Sequence, residues 1–318
     1  MGLKIIGTGR GLPQREVTNQ ALLQFVDTSD EWIITRTGIR SRRVCTGETL
    51  TDLSAQAAGN ALEKAGADIR DIGLILCSTI GGDYVTPSLA CTVSERLGAC
   101  CPAFDLNAAC SGFLYALETA DAFLAAGKAE KILIVCAERM SRHVDWADRA
   151  TCVLFGDGAG ACVVTEGNAL RYLHLTASGN SKMLCLPSGT GNSPFIAEKR
   201  APGSLHMDGQ EVFKFAVGMA EKELARALDA LGLEAEQIDH FLIHQANKRI
   251  IDAIRVRVGQ PEEKFPQNIN RYGNMSSATI PVLLDECLEA GRIKQGDALY
   301  MTAFGAGLTT GACILVWE

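Results

Sequence analysis

The feature that most narrows what this chain can fold into is a weak internal duplication. Asp71-Ile72-Gly73-Leu74-Ile75-Leu76 resembles Ile238-Asp239-His240-Phe241-Leu242-Ile243. Lys131-Ile132-Leu133-Ile134-Val135 has a counterpart in placement at Ala298-Leu299-Tyr300-Met301-Thr302, and Gly160-Ala161-Cys162-Val163-Val164 at Gly311-Ala312-Cys313-Ile314-Leu315. The pairs keep their order, and the first two share one offset. Strand sequences look alike, so a single match carries little weight. Three in order point to two similar α/β halves, 1–168 and 169–318, with no Pro- or Ser-rich linker between them. Two like halves meeting face to face set an active site at their junction.

Short apolar runs alternate with longer helical patterns, as in α/β proteins. Strands are expected at 3–9, 72–79, 131–137, 159–165, 239–244, 298–303 and 311–317, and helices at 52–65, 87–97, 111–126, 209–231, 246–258 and 278–290. Ala298 to Trp317 is free of charge and, at 20 residues, long enough to span a bilayer. Its glycines (Gly305, Gly307, Gly311) and threonines (Thr302, Thr309, Thr310) make it read better as strand, glycine loop, strand. The N-terminus lacks a basic segment followed by an apolar run, so no signal peptide is expected. A soluble, cytoplasmic protein is the expectation.

Lys and Arg number 30 against 37 Asp and Glu, a net charge of −7. Binding nucleic acid through bulk charge is therefore not expected, and an acidic partner needs a local basic patch. The 12 cysteines sit mostly inside apolar runs, as small buried hydrophobes do. No CxxC pair occurs, so zinc and dithiol redox chemistry lack their usual signal, and no metal site is expected. Reduced thiols are the simplest account.

One cysteine stands apart. Cys110, in Asn107-Ala108-Ala109-Cys110-Ser111-Gly112-Phe113, lies where a strand-like segment turns into the 111–126 helix. A thiol at a helix start gains thiolate character from the unpaired N–H groups there. His244 ends a strand pattern, where α/β proteins place catalytic groups. Asn274 lies in a Gly273-Asn274 turn before a helix, a common place for a mere turn residue or cap. Phe304-Gly305-Ala306-Gly307 follows a strand and offers N–H groups to an oxyanion or a phosphate alike. Gly156-Asp157-Gly158-Ala159-Gly160 has neither dinucleotide nor P-loop spacing. Thiol, imidazole and carboxamide together suggest nucleophilic acyl chemistry. A papain-like hydrolase fits the Cys-to-His gap, which falls within the roughly 130–150 residues of that class. An acyltransferase or condensing enzyme fits the duplicated halves and the residues around the cysteine.

Longer motifs then carry a resemblance. Asp30-Glu31-Trp32-Ile33 with Arg36-Thr37-Gly38-Ile39, Ala109-Cys110-Ser111-Gly112-Phe113, Phe155-Gly156-Asp157-Gly158-Ala159-Gly160, His206-Met207-Asp208-Gly209, His244-Gln245-Ala246-Asn247 and Gly273-Asn274 together resemble the β-ketoacyl-acyl-carrier-protein synthase III family. The likeness runs from about residue 3 to 317. It implies a thiolase-like fold, two halves forming a five-layer αβαβα core, and an initiating condensing activity. An acyl primer, acetyl above all, would pass from coenzyme A to Cys110. His244 and Asn274 would then support decarboxylation of a malonyl thioester, with the N–H groups of Cys110 and Gly307 as oxyanion hole and Phe304 beside the departing carboxylate. Elongating synthases carry Cys-His-His, and thiolases a second cysteine in the final glycine loop. Asn274 and Thr309-Thr310-Gly311-Ala312 match neither.

The resemblance further implies that Trp32 and Arg149 sandwich the adenine of coenzyme A and that Arg36 meets its phosphates. Thr86, Phe155 and Met207 would shape the acyl pocket. Lys248, Arg249, Arg255 and Arg257 would form the patch for an acidic acyl carrier protein, Lys248 and Arg255 standing seven apart on one helix face. A homodimer is implied, with no cofactor beyond the thioester substrates, no metal, and no membrane or nucleic-acid partner.

Overall fold

The computed structural model describes residues 2–318. One sheet holds β1 (Gly2–Gly11), β2 (Leu74–Ser78), β3 (Ala103–Leu106), β4 (Lys131–Arg139) and β5 (Asp157–Gly167), in the spatial order β1-β5-β4-β2-β3. The other holds β6 (Leu170–Ala177), β7 (His240–Ile243), β8 (Ala298–Gly305) and β9 (Thr309–Val316), in the order β7-β8-β9-β6. In the first sheet β2 and β4 are parallel, β4 and β5 antiparallel, and β5 and β1 antiparallel. The second repeats this strand for strand: β7 and β8 parallel, β8 and β9 antiparallel, β9 and β6 antiparallel. The match extends to register. Glu138 faces Gly158 across one ladder and Gly305 faces Thr309 across the other, so Gly305 holds the place of Glu138 in the second sheet.

The main helices are α1 (Asp30–Thr37), α2 (Leu50–Ala65), α3 (Leu89–Leu97), α4 (Gly112–Ala125), α5 (Gly209–Leu231), α6 (Lys248–Val258) and α7 (Thr279–Glu289). Strand periodicity sorts them into layers, because alternate side chains leave opposite faces of a sheet. In β4, Leu133, Val135 and Ala137 pack outward with α2 and α3 residues such as Leu53, Ala57 and Val93. Ile132, Ile134 and Cys136 face inward, into a core shared with α4, α7 and the second sheet. On the far side, α5 and α6 cover Phe241, Ile243, Tyr300 and Ile314. The result is helix, sheet, helix, sheet, helix: the five layers expected.

Elements begin and end where local chemistry requires. α2 starts two residues before its expected start because Thr49 accepts from the Asp52 N–H while Asp52 accepts from the Thr49 N–H, a closed capping box. Ala298–Val316 folds as two strands around a loop, as its glycines suggest, and among the described residues no helix is long and apolar enough to cross a membrane. Of the labelled strands and helices, three lie outside the expected set. β6 is interrupted by the polar Arg171 and His174 and is nowhere fully buried, β3 is only four residues long, and α1 lacks a strong apolar stripe. α1 is set by its ends: Ser29 accepts from the Trp32 N–H, and Gly38 takes the left-handed turn at φ +78°. The papain-like alternative has no place in two duplicated sheets.

Candidate active site

The two halves meet over a cavity of about 1220 Å³ lined by Cys110, His244, Asn274, Phe304 and Gly307. Cys110 sits in a single 3₁₀ turn, Ala109–Ser111, directly before α4. Ala109 is held at φ +47°, a conformation a non-glycine residue keeps only when its surroundings impose it. The second half supplies those surroundings. Thr309 Oγ1 donates to Ala108 O at 2.9 Å and Ser111 Oγ to Thr309 O at 3.1 Å. A Cβ on Gly305 would fall 2.7 Å from the Cys110 nitrogen, so only glycine lets the end of β8 pass the nucleophile's backbone.

The thiol is not the activated thiolate that its helix-start position suggests. Burial pushes Cys110 up to about 12, the charge of Glu138 adds to this, and the Ser276 hydroxyl pulls the other way without prevailing. Desolvation outweighs the helix start here, so the resting thiol is protonated at neutral pH.

His244 follows the last residue of β7, and its N–H is tied to Thr302 O at 2.9 Å. Nδ1 lies 2.6 Å from Thr279 Oγ1, and the ring meets Phe304 edge-on at 5.5 Å. Burial drives its pKa down to about 3, leaving a neutral imidazole. Asn274 is anchored on both sides: its N–H donates to Leu154 O at 2.8 Å, and its carbonyl accepts from the Gly156 N–H at 3.0 Å. Gly273 makes the approach possible, with φ +64° and room for no Cβ against Leu154 O. Asn274 Oδ1 accepts the Ser276 N–H at 2.8 Å. The carboxamide oxygen is thereby committed, and its NH2 is the group left for the cavity.

Around this centre the cavity takes in Trp32, Arg36 and Arg149 on one side, and Phe155 and Met207 with Met140, Leu154 and Leu205 on an apolar side. Buried Arg42 braces that wall, donating to Val153 O at 2.7 Å. The Arg149 guanidinium lies 5.1 Å and that of Arg36 5.6 Å from the centre of the Trp32 ring. Thr86 does not line its own chain's cavity; it is exposed in a loop beside fully exposed Val85.

The basic patch is uneven. Lys248 pairs with Asp252 at 2.8 Å, Arg257 pairs with Glu221 at 2.5 Å, and Arg255 is half-buried. Arg249 alone of the four lines the cavity, over the Phe213 ring at 6.0 Å. Glu138, Ser276, Thr279 and Thr309, which touch or brace the central residues, escaped sequence reasoning. Only Glu138 carries a signal there, as an acid ending the apolar run Ile132–Ala137.

A duplicated five-layer α/β fold with thiol, imidazole and carboxamide at its junction defines the class: a thiolase-like acyl-transferring enzyme. The family described as 3-oxoacyl-[acyl-carrier-protein] synthase III matches residues 104–180, and its C-terminal model matches 228–317. This chain belongs to the β-ketoacyl-[acyl-carrier-protein] synthase III family. It is 44% identical over 319 residues to the member from Aquifex aeolicus, covering 99% of each chain, and 44% identical to that of Xylella fastidiosa, covering 98% and 97%. The solved Aquifex aeolicus synthase superposes with a TM-score of 0.92 at 43% identity, covering 99% of this chain and 100% of that one. The priming β-ketosynthase of the R1128 polyketide pathway superposes equally well, at 0.92, with 35% identity and coverage of 100% and 96%.

Proposed function

We propose that this chain is the initiating condensing enzyme of acyl-chain synthesis, joining an acetyl primer from acetyl-CoA to malonyl-acyl-carrier protein. The observation that carries the reading is one cavity holding a cysteine beside two neutral hydrogen-bond donors, an uncharged imidazole and a carboxamide with its oxygen already engaged. Cys110 sulfur attacks the thioester carbonyl. Its proton passes through His244 to the departing coenzyme A sulfur, and the N–H groups of Cys110 and Gly307 receive the tetrahedral oxyanion. In the second half-reaction the malonyl C–C bond breaks, CO2 leaves, and the electron pair forms an enolate. His244 and Asn274 donate to its oxygen as charge develops. Thr279 Oγ1, 2.6 Å from Nδ1, holds the ring so that Nε2 faces the reacting groups. Phe304 disfavours the carboxylate in the ground state. The enolate carbon then attacks the acetyl carbonyl, and Cys110 leaves as thiolate to be reprotonated. The products are acetoacetyl-carrier protein, CO2 and coenzyme A, and no metal or further cofactor takes part.

Trp32, Arg36 and Arg149 bind the coenzyme A nucleotide, and Phe155 and Met207 bound the primer. Arg249 at the cavity mouth takes the acidic carrier protein, with Lys248, Arg255 and Arg257 contributing field at longer range. The halves 1–168 and 169–318 act as the two catalytic units. A homodimer is supported by the open edge of β3, with Phe104 and Val85 exposed nearby, since such an edge needs cover. Thr86 then closes the primer pocket of the second copy and not its own. Twelve free cysteines support a reducing, cytoplasmic setting. The deciding experiment is the intact mass of the protein after exposure to acyl-CoAs: wild type gains one acetyl group and Cys110→Ala gains none. Acetylation persisting in Cys110→Ala overturns the assignment.

A further inference from the structure

Glu138 is the penultimate residue of β4 in the first half, with its side chain fully buried. Oε1 accepts from Ser276 Oγ at 3.1 Å and Ser277 Oγ at 2.8 Å, both from the second half. Oε2 accepts the Ile80 N–H at 3.1 Å. The turn it grips carries Asn274 two residues upstream of Ser276, and Ser276 is, with Ala109, one of two non-glycine residues at positive φ among the described residues, each at +47°. Ladder register gives this contact a mirror: Gly305, the counterpart of Glu138, passes the Cys110 turn of the first half. Each strand end thus braces the catalytic turn of the opposite half. The Ser276 hydroxyl also favours the Cys110 thiolate, and one hydroxyl has one proton to give.

We propose that Glu138 is a positioning residue of this site: its carboxyl seats the Ser276–Ser277 turn that aims Asn274, and its charge decides whether Ser276 donates to Glu138 or to the Cys110 sulfur. Ionised, Glu138 takes the Ser276 proton and adds a negative charge near the thiol. Neutral, it donates its one proton to the Ser276 oxygen and leaves the Ser276 proton for the sulfur. Burial pulls Glu138 up to about 7, against the neutral donors Ile80 N–H, Ser277 and Ser276, so the exchange falls within the working pH range. The titratable groups that feel its charge are the thiols of Cys110 and, on its own strand, Cys136.

The proposal deepens the reading above, and its test needs no acyl substrate, so failure of one is distinguishable from failure of the other. The rate of Cys110 alkylation by iodoacetamide at pH 8, mapped by peptide mass, reports the thiol directly. Glu138→Gln, permanently neutral, is expected to alkylate roughly tenfold faster, the lower end of what removing a nearby like charge does. A purely structural glutamate leaves that rate where it is. In a Ser276→Ala background the gain from Glu138→Gln shrinks, since part of it is the serine proton. Equal alkylation rates in wild type and a folded Glu138→Gln overturn the proposal. If Glu138→Gln does not fold, Ser277→Ala decides: it removes the 2.8 Å donor that favours the ionised carboxylate, so Glu138 is neutral to higher pH and Cys110 alkylation at pH 8 must rise several-fold while the thermal melt stays cooperative. An unchanged alkylation rate overturns it.

Discussion

The turn before α4 and the turn before α7 are the same device in the two halves, put to different use. Each is a single 3₁₀ turn with one non-glycine residue at φ +47°, followed at once by a helix of the central layer. In the first half the turn presents Cys110, and the strand leading into it is β3. In the second half no sheet strand precedes the turn. A short helix, Ile269–Tyr272, takes that place, and Asn274 reaches the cavity from the bend that follows. Duplication therefore supplied the scaffold, and chemistry came from breaking its symmetry. In the proposed mechanism one half holds the nucleophile and the other the donors for a developing charge.

That division predicts that the half-reactions can be separated. Asn274→Asp keeps size but puts a charge where the enolate forms. CO2 release should fall by on the order of 10²–10³, the range for losing one oxyanion donor. Acetyl loading on Cys110 should continue, as read by intact mass. Lost loading with retained CO2 release would reverse the assignment of the two halves.

The symmetry of the braces can be tested at Gly305, where a Cβ would meet the Cys110 nitrogen at 2.7 Å. Gly305→Ala should cut acetyl loading by about a hundredfold, since displacement of roughly an ångström at a reacting centre costs that much. Wild-type loading in a folded Gly305→Ala would show the contact to be slack.

A smaller effect is expected at Arg249, which belongs to the second half only. Arg249→Glu should weaken the reaction with malonyl-carrier protein by about tenfold at low salt and leave loading from acetyl-CoA unchanged. Rising ionic strength should erase the difference, because exposed charges are screened beyond about 8–10 Å. A loss of both half-reactions would mean that α6 had been disturbed as a structural element.

The smallest effect is a pH dependence of stability. His244 binds protons in the unfolded chain below about 6.5 but in the folded one only near 3. Between those values the unfolded state holds more protons, so this group's contribution to stability falls as pH falls. His244→Gln should therefore gain melting temperature relative to wild type as pH drops from 6.5 to 4. Parallel melting curves across that window would mean that the imidazole titrates normally.

The chain's own pattern determined the alternation of strands and helices, the duplication and the motifs around Cys110, His244 and Asn274. These are local matters: a two-residue period, a cap such as Thr49, or a glycine where no side chain fits is written into adjacent residues. Tertiary structure decided the rest. Cys110 reads as a thiolate from its helix start, yet burial beside Glu138 leaves it a thiol, because desolvation depends on groups far away in sequence. Four cations on α6 read as one patch, yet Asp252 and Glu221 pair with two of them and leave Arg249 at the cavity. Asn274 looks like any turn residue until Leu154, Gly156 and Ser276 fix its backbone and its amide oxygen. Charge, solvation and the aim of a side chain are set by what packs against it, and that is decided only when the chain is folded.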